Sequence, residues 1–193
     1  MTQKDISLLK KTALKYNIDF AHLEQVALIS QSLFEQLKPI HKLKKTYEKL
    51  LITAAWLHDI GISIKFEQHH KHSYKLILHE DLPFLTKKEK ILTATIARYH
   101  RKSSPKLAHP EFNKLAKEDQ ETVKKLSAIL RIADGFDRLH LQSVKKIKTY
   151  IKKNEVQMYF HSTNAQANEQ FGAIKKSTYF CELFNVNLKV VKV

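Results

Sequence analysis

Histidine and aspartate side chains stand at three separated places in the chain, and together they could bind a metal ion. The three places are His22, the adjacent pair His58 and Asp59, and Asp134. His58 and Asp59 follow an apolar run where a helix is expected to end, so an imidazole nitrogen and a carboxylate oxygen can face one centre. A mixed nitrogen and oxygen set suits Mn, Fe, Co, Ni or Mg better than a cysteine-rich structural zinc. Each residue taken alone is more often a hydrogen-bonded structural side chain.

Asp134 is the least ordinary of these residues, because it interrupts an apolar helical pattern. Its neighbours include Ile129, Leu130, Ala133 and Phe136. A carboxylate in such surroundings requires a cation or strong hydrogen-bond donors.

The elements that position these residues are predicted to be long helices. Only 3 glycines and 4 prolines occur in 193 residues, which argues against folds with many tight turns. Thr86 and Glu89 form a capping-box pattern, and Gly61 suits a helix end. Apolar residues at three- and four-residue spacing predict helices over 5–15, 19–37, 46–58, 70–78, 86–101 and 119–139.

The C-terminal part of the chain has a different pattern. Residues 144–151 and 155–162 alternate between polar and apolar, which predicts a hairpin. Residues 166–184 are predicted to be helical, and 186–193 alternate again. The predicted fold class is mainly α, with a helical domain over 1–142 and a small β-β-α-β appendage (α+β) over 143–193.

The order of one histidine, a His-Asp pair and a later aspartate resembles the HD superfamily of metal-dependent phosphohydrolases. The local sequences are similar to the C-terminal HD region of the exopolyphosphatase/guanosine-pentaphosphatase (Ppx/GppA) family. They are AAWLHDIGISI (54–64), HHKHSYKLI (69–77), ARYHRK (97–102) and ILRIADGFDRL (129–139). The resemblance extends over nearly the whole chain and implies an HD-type helical bundle.

The resemblance also implies ligand sets for one or two divalent transition-metal ions. It assigns one ion to His22, His58, Asp59 and Asp134. A second ion would be held by His72 and His100, with Asp59 bridging, and Asp59 and His58 are the predicted catalytic residues. The alternative is a single ion, with His72 and His100 binding phosphate or closing the site.

Three cationic residues lie beside His100, namely Arg98, Arg101 and Lys102. They could hold substrate phosphates through charge-assisted hydrogen bonds. The alternative is a solvated helix end, where cations interact favourably with the helix dipole.

The charge of the chain predicts anionic partners. There are 34 Lys and Arg residues against 19 Asp and Glu, a formal net charge of +15. Such an excess attracts nucleotides, polyphosphate or nucleic acid, although a solvated lysine-rich surface is an equally good interpretation. Cys181, the single cysteine, excludes an internal disulfide, and no apolar run is long enough to cross a membrane. These features predict a cytoplasmic protein that does not bind membranes.

The leading hypothesis is a metal-dependent phosphohydrolase that cleaves phosphate esters or anhydrides through a metal-activated water. A nucleotide, a signalling nucleotide or polyphosphate would be the substrate. The family's actin-like catalytic domain has no counterpart in these 193 residues. The alternative is therefore a non-catalytic module that binds RNA or polyphosphate, or a regulatory partner of a separate exopolyphosphatase-type enzyme. The sequence is also compatible with a homodimer.

Overall fold

Most of the chain folds into helices, and three strands follow them. The computed structural model describes residues 1–16, 18–163 and 168–193. Within these ranges the helices are α1 (Gln3–Leu14), α2 (Phe20–Gln36), α3 (Lys38–His41), α4 (Glu48–Leu57), α5 (His69–His79), α6 (Lys87–Arg98), α7 (Pro110–Asn113), α8 (Lys117–Phe136), α9 (Asn168–Lys176) and α10 (Thr178–Phe184). The strands are β1 (Val144–Lys152), β2 (Glu155–Ser162) and β3 (Asn187–Lys192).

The helix α8 shows why these segments are helical. Its apolar residues recur every three or four positions, at Val123, Leu126, Leu130 and Ala133, and all are buried. Acidic residues occupy its first turn, where the helix dipole favours negative charge. Asp134 lies near its C-terminal end and is also buried.

The capping box predicted at the start of α6 is confirmed. Thr86 accepts a hydrogen bond from the backbone of Glu89, whose carboxylate accepts one from the Thr86 backbone N–H. Around α6 the helices form a bundle: α2 packs on α4 and α8, and α6 packs on α4, α5 and α8. The buried apolar side chains of these helices form the main core.

The strands form one sheet in the order β1-β2-β3. Strands β1 and β2 are antiparallel, which confirms the predicted hairpin, whereas β2 and β3 are parallel. A parallel pair requires a crossover, and α9 and α10 provide it. The prediction of one helix over 166–184 was wrong at Ser177, where α9 ends before α10 begins. Residues 166 and 167 lie outside the described part of the chain.

The order of strands and helices confirms the predicted fold class, mainly α with a small β-containing appendage. The core is continuous between the two parts, because Val156, Met158 and Phe160 of β2 belong to the same apolar cluster as the bundle. The proposed division at residues 142 and 143 falls between α8 and β1 and stays a prediction.

Two glycines bring the appendage against the bundle. The backbones of α8 and α9 cross at Gly135 and Gly172. A β-carbon on Gly172 would lie 2.2 Å from the carbonyl oxygen of Gly135, and one on Gly135 would lie 2.7 Å from that of Gly172. Neither position leaves room for a side chain.

No helix in the described ranges combines the length and the apolar character needed to cross a bilayer.

Candidate metal centre and its cavity

The end of α4 presents the His58–Asp59 pair. This helix is buried along nearly its whole length, and the chain leaves regular helical geometry at Asp59, where φ is −106° and ψ is 1°. A 3-10 turn, Ile60–Ser63, follows. Gly61 is part of this turn and is not the left-handed helix end that its sequence suggested. Because Gly61 has no side chain, the turn can approach the backbone of α5 closely: a β-carbon at Gly61 would lie 2.2 Å from the carbonyl oxygen of His69. The pair therefore sits directly against α5.

Four buried imidazole rings around Asp59 share one hydrogen-bonding pattern. In each ring the Nδ1 atom faces an oxygen acceptor at 2.8 or 2.9 Å: Asp137 Oδ2 for His22, and the carbonyls of Ala55, Phe66 and Ala97 for His58, His69 and His100. A carbonyl can only accept, so Nδ1 of the last three rings carries the proton. A neutral ring then keeps its lone pair on Nε2, which is the form that binds metals.

The Nε2 atoms of these rings converge on two carboxylates. His22 Nε2 lies 3.7 Å from Asp134 Oδ1 and 3.9 Å from Asp59 Oδ2. Asp59 Oδ2 is 3.5 Å from His58 Nε2, while Asp59 Oδ1 is 3.0 Å from His69 Nε2 and 3.4 Å from His100 Nε2. Within the described residues, the Nε2 atoms of His22 and His58 are buried without a hydrogen-bond partner. Unpaired buried nitrogens facing carboxylates fit a cation between them.

Two overlapping groups of ligand atoms are compact enough to hold an ion. One consists of His22, His58 and Asp134, and the other of His58, Asp59 and His100. In each group the ligand atoms lie within 4.8 Å of one another.

Burial and charge set the protonation of these residues in favour of cation binding. Burial lowers the pKa of His58 and, together with the nearby His58, lowers that of His100 well below its ordinary value. Burial alone would raise the pKa of Asp59, but the histidines around it hold that pKa well below the usual range. His58 and His100 are thus neutral and Asp59 is charged at neutral pH.

His22 is the exception among the rings. Burial would lower its pKa, but the hydrogen bond to Asp137 and the charges of Asp134 and Asp59 raise it. Asp137 Oδ1 in turn accepts a hydrogen bond from the backbone N–H of Gln142. Asp137 therefore fixes the orientation of His22 and supplies negative charge behind it.

A cavity of about 570 Å³ opens above Asp59 and Asp134. Its walls are strongly cationic, and the positively charged side chains among its lining residues are Arg101, Lys102, Arg131, Arg138, Lys175 and Lys176. Phe66 and Tyr179 add aromatic surface. Lys102 and His140 also line it, and both adopt the left-handed backbone conformation, with φ of 59° and 57°, which side-chain-bearing residues rarely take.

One wall of this cavity comes from the appendage. The Lys176 ammonium, at the end of α9, contacts the carboxylate of Asp134. Burial would raise the pKa of Asp134, but Lys176 and the nearby histidines lower it. The candidate site therefore combines residues from both parts of the fold.

Five of the six predicted metal ligands are brought together, namely His22, His58, Asp59, His100 and Asp134. The sixth, His72, is not. The structure places His69 against Asp59 instead, whereas none of the polar contacts described for Asp59 or His100 involves His72. His72 is half-buried one turn further along α5, and its β-carbon packs where Gly61 approaches that helix.

Of the three predicted phosphate-binding residues, two lie in the cavity and one lies outside it. Arg101 and Lys102 line the cavity. Arg98 does not belong to that lining: it is buried, and its Nε lies 3.1 Å from Glu111 Oε1 on α7. Arg98 therefore holds α7 against the end of α6 and is not presented to a ligand in the cavity.

Comparison with known proteins identifies the family. A model of the domain described as "Ppx/GppA phosphatase, domain III" matches residues 6–172, most of the chain. The chain belongs to the Ppx/GppA domain III family. The Ppx/GppA resemblance of the sequence motifs is thereby confirmed, while membership of the wider HD superfamily stays a prediction.

Curated relatives of this Ppx/GppA domain include three enzymes named guanosine-5'-triphosphate,3'-diphosphate pyrophosphatase. Those of Vibrio vulnificus (strain YJ016) and Vibrio campbellii (strain ATCC BAA-1116) are 32% and 33% identical over 120 residues, 62% of this chain and 23% of each relative. That of Vibrio atlanticus (strain LGP32) is 31% identical over 134 residues, 68% of the chain and 26% of the relative. The chain spans about a quarter of the length of these relatives.

Sequence reasoning missed several side chains of the Ppx/GppA domain site. His69 is not among the predicted ligands, and neither is His140, which stacks on His22 with ring centroids 3.8 Å apart. Lys176 and Asp137 were missed as well. The sequence could have indicated Asp137. It directly follows α8, three residues after Asp134, and so lies on a similar side of the helix axis. Nothing local marked Lys176, whose partner is 42 residues away in the sequence.

Proposed function

We propose that the chain is a metal-dependent phosphohydrolase of the HD type, acting on phosphate esters or anhydrides of the nucleotide or polyphosphate class. The observation that carries the proposal is the shared orientation of four imidazole rings, with Nε2 atoms directed at Asp59 and Asp134. Two of these nitrogens, those of His22 and His58, have no hydrogen-bond partner within the described residues, whereas a purely structural cluster would pair them with donors or acceptors of the protein.

The residues fit two adjacent ions. His22, His58, Asp59 and Asp134 would hold one, and Asp59, His69 and His100 would hold the other, with Asp59 shared because its two oxygens face different rings. Nitrogen and carboxylate ligands suit Mn, Fe, Co, Ni or Mg. Such ions, when bound, lower the pKa of water and neutralise charge on the phosphoryl group.

The protein's own contribution would be positioning and electrostatics. Asp59 and His58 would hold the reacting centre at the floor of the cavity. Arg101 and Lys102 lie on one wall and Lys175 on another, where they would bind the non-reacting phosphates of the substrate. The left-handed backbone of Lys102 is held in place by Arg131, whose guanidinium donates to the Lys102 carbonyl.

Two observations favour a substrate with several phosphates. Six cationic side chains line the cavity, and four remain, Arg101, Lys102, Arg138 and Lys175, when Lys176 and Arg131 are left out because they contact Asp134 and backbone carbonyls. The relatives are named for a pyrophosphatase that acts on a guanosine carrying 5'-triphosphate and 3'-diphosphate groups. We propose nucleoside polyphosphates and inorganic polyphosphate as the substrates to test first.

Metal content and phosphate release test the proposal together. Protein purified without chelator or affinity metal is analysed by mass spectrometry for bound transition metals, and phosphate release is measured with added Mn²⁺. Close to two ions per chain are expected, with activity on at least one of the two substrate classes. Asp59→Ala should lose both ions and activity, and His100→Ala should lose one ion.

His79→Ala is the matched control, because His79 is an exposed histidine on α5 outside the cavity. It should keep both metal and activity. A wild-type chain that binds no transition metal after reconstitution would overturn the proposal in favour of a non-catalytic polyanion-binding or regulatory module. A chain that binds metal but releases no phosphate would overturn its enzymatic part.

A further inference from the structure

The outer face of the sheet shares no lining residue with the cavity above Asp59 and Asp134. Side chains alternate between the two faces of a strand. Residues such as Ile147, Val156, Phe160 and Val190 are buried against the bundle and the crossover helices. The opposite face, here called the open sheet face, carries Lys146, Lys148, Tyr150, Lys152, Glu155, Gln157, Tyr159, His161 and Lys189.

Two tyrosines lie side by side on the open sheet face. Lys148 is paired with Tyr159 across β1 and β2, and Tyr150 is paired with Gln157, so the tyrosines are diagonal neighbours. Their ring centroids are 5.7 Å apart and their planes meet at 82°. Tyr150 is 52% exposed. A shallow depression of about 450 Å³ lies over the rings, bordered also by His161.

The charge on this face is mainly positive. Its lysines are exposed and come from two strands: Lys146, Lys148 and Lys152 from β1 and Lys189 from β3. The carboxylate on the face is Glu155, which accepts a hydrogen bond from Gln157 and lies 3.9 Å from the Lys152 ammonium. The face thus combines an exposed ring, Tyr150, and a half-buried one, Tyr159, with surrounding lysines, which is the combination that stacks unpaired bases and contacts phosphates.

We propose that the open sheet face binds single-stranded nucleic acid. Tyr150 and Tyr159 would stack with unpaired bases, and the surrounding lysines would contact the phosphates on either side. A duplex hides the faces of its bases, and inorganic polyphosphate has none, so neither can use the tyrosines. The face carries no arginine, the side chain that most often reads base edges, so the binding is not sequence-specific.

Fluorescence anisotropy with a fluorescein-labelled oligouridylate of about 12 nucleotides tests this inference, at a length typical of single-strand sites. The double variant Tyr150→Ala/Tyr159→Ala should bind at least ten-fold more weakly, because stacking is lost. The double variant Tyr150→Phe/Tyr159→Phe should keep most of the affinity. Phe171→Ala is the matched control, since it removes an exposed aromatic ring from α9 and should change nothing.

Salt dependence tests the lysines separately. Four phosphate contacts to a single strand predict a slope of about −3 for the logarithm of the association constant against the logarithm of salt concentration. Lys148→Ala should make the slope shallower by about 0.7. Lys114→Ala removes an exposed lysine outside the sheet and should leave the slope unchanged.

Several results would overturn the inference. One is wild-type protein that does not bind the oligouridylate at 50 mM salt, and another is equal affinity of the wild type and the double alanine variant. A third is sedimentation showing a dimer that the alanine substitutions dissociate, which would make the face an interface between two copies. Asp59→Ala should bind the oligouridylate normally, so that failure of the proposed hydrolase leaves this result unaffected.

Discussion

The ammonium of Lys176 contacts the carboxylate of Asp134 and so ties the end of α9 to the end of α8. Asp134 is also a candidate metal ligand, because its other oxygen faces His22. A divalent ion and the lysine would therefore share one carboxylate. If the site binds metal as proposed, its metal affinity and the packing of α9 on α8 would be coupled through this contact.

Lys176→Met should destabilise the metal-free protein, because it leaves a buried carboxylate without its cation. We expect the free energy of unfolding to fall by about 1–3 kcal/mol. Added Mn²⁺ should restore the variant more than it stabilises the wild type. Thermal unfolding in EDTA and in Mn²⁺ measures both effects. Lys175→Met is the control, because Lys175 is exposed and its ammonium lies over the Phe171 ring; equal Mn²⁺ effects in both variants would contradict the coupling.

His69→Ala and His72→Ala should behave differently. The Nε2 of His69 lies 3.0 Å from Asp59, whereas His72 has no described contact with that carboxylate. We expect His69→Ala to lower the affinity for one of the two metal ions by at least about ten-fold, because a ligand is lost. His72→Ala should bind both ions like the wild type. Metal analysis after dialysis measures the difference. Loss of an ion from the His72 variant alone would show that the sequence motif predicted the ligand better than the contact does.

Asp137→Asn should lower metal affinity without changing the fold. The carboxylate of Asp137 lies behind His22 and orients its ring, and outer partners of this kind contribute about 10- to 100-fold to metal affinity. We expect the metal affinity to fall by an amount near the lower end of this range, because asparagine keeps the shape of the side chain and one acceptor oxygen. Titration calorimetry with Mn²⁺ gives the constant. Asp81→Asn, at an exposed position on the surface, should match the wild type.

His41 should make stability depend on pH. Its Nε2–H donates to the Phe34 carbonyl and its Nδ1 accepts from the Leu43 N–H, a pattern that only the neutral ring can satisfy. Burial, followed by the charges of Lys125 and Lys38, lowers its pKa. The unfolded chain takes up a proton near pH 6.5 and the folded chain does not. This contribution to stability is therefore constant above about pH 6.5 and declines below it, by up to about 1.4 kcal/mol per pH unit.

Urea unfolding at pH 7.5, 6.5 and 5.5 measures the effect. His41→Gln should be less stable than the wild type at pH 7.5 but should lose less stability on acidification. Identical pH slopes for the two proteins would assign the dependence to other groups.

The sequence predicted the helices and most candidate ligands because both depend on local pattern. Apolar spacing around Asp134 indicated a helix with a carboxylate on its buried side, and α8 has that arrangement. His69 and His72 are three residues apart and lie on a similar side of α5, so spacing alone could not choose between them. The choice depended on where along α5 the His58–Asp59 pair packs, which is set by the approach of Gly61 to that helix.

Contacts between distant segments could not be predicted in the same way. The wall of the cavity formed by α9 depends on how the crossover packs on α8, and that packing depends on two glycines, not on a charge or apolar pattern. The role of Gly61 also depends on a contact between distant segments and could not be predicted from local pattern. Its position suggested the end of a helix, whereas its function is to let two backbones approach.

The crossing of Gly135 and Gly172 has a consequence for the chemistry of the site. Lys176 follows Gly172 by four residues, about 6 Å along the axis of α9. A single methyl group at either glycine would push the two backbones apart, and the ammonium would be carried away from Asp134 with the rest of the helix. The geometry of the proposed metal centre thus depends on two residues that have no reactive group, because neither glycine has a side chain to hold the helices apart.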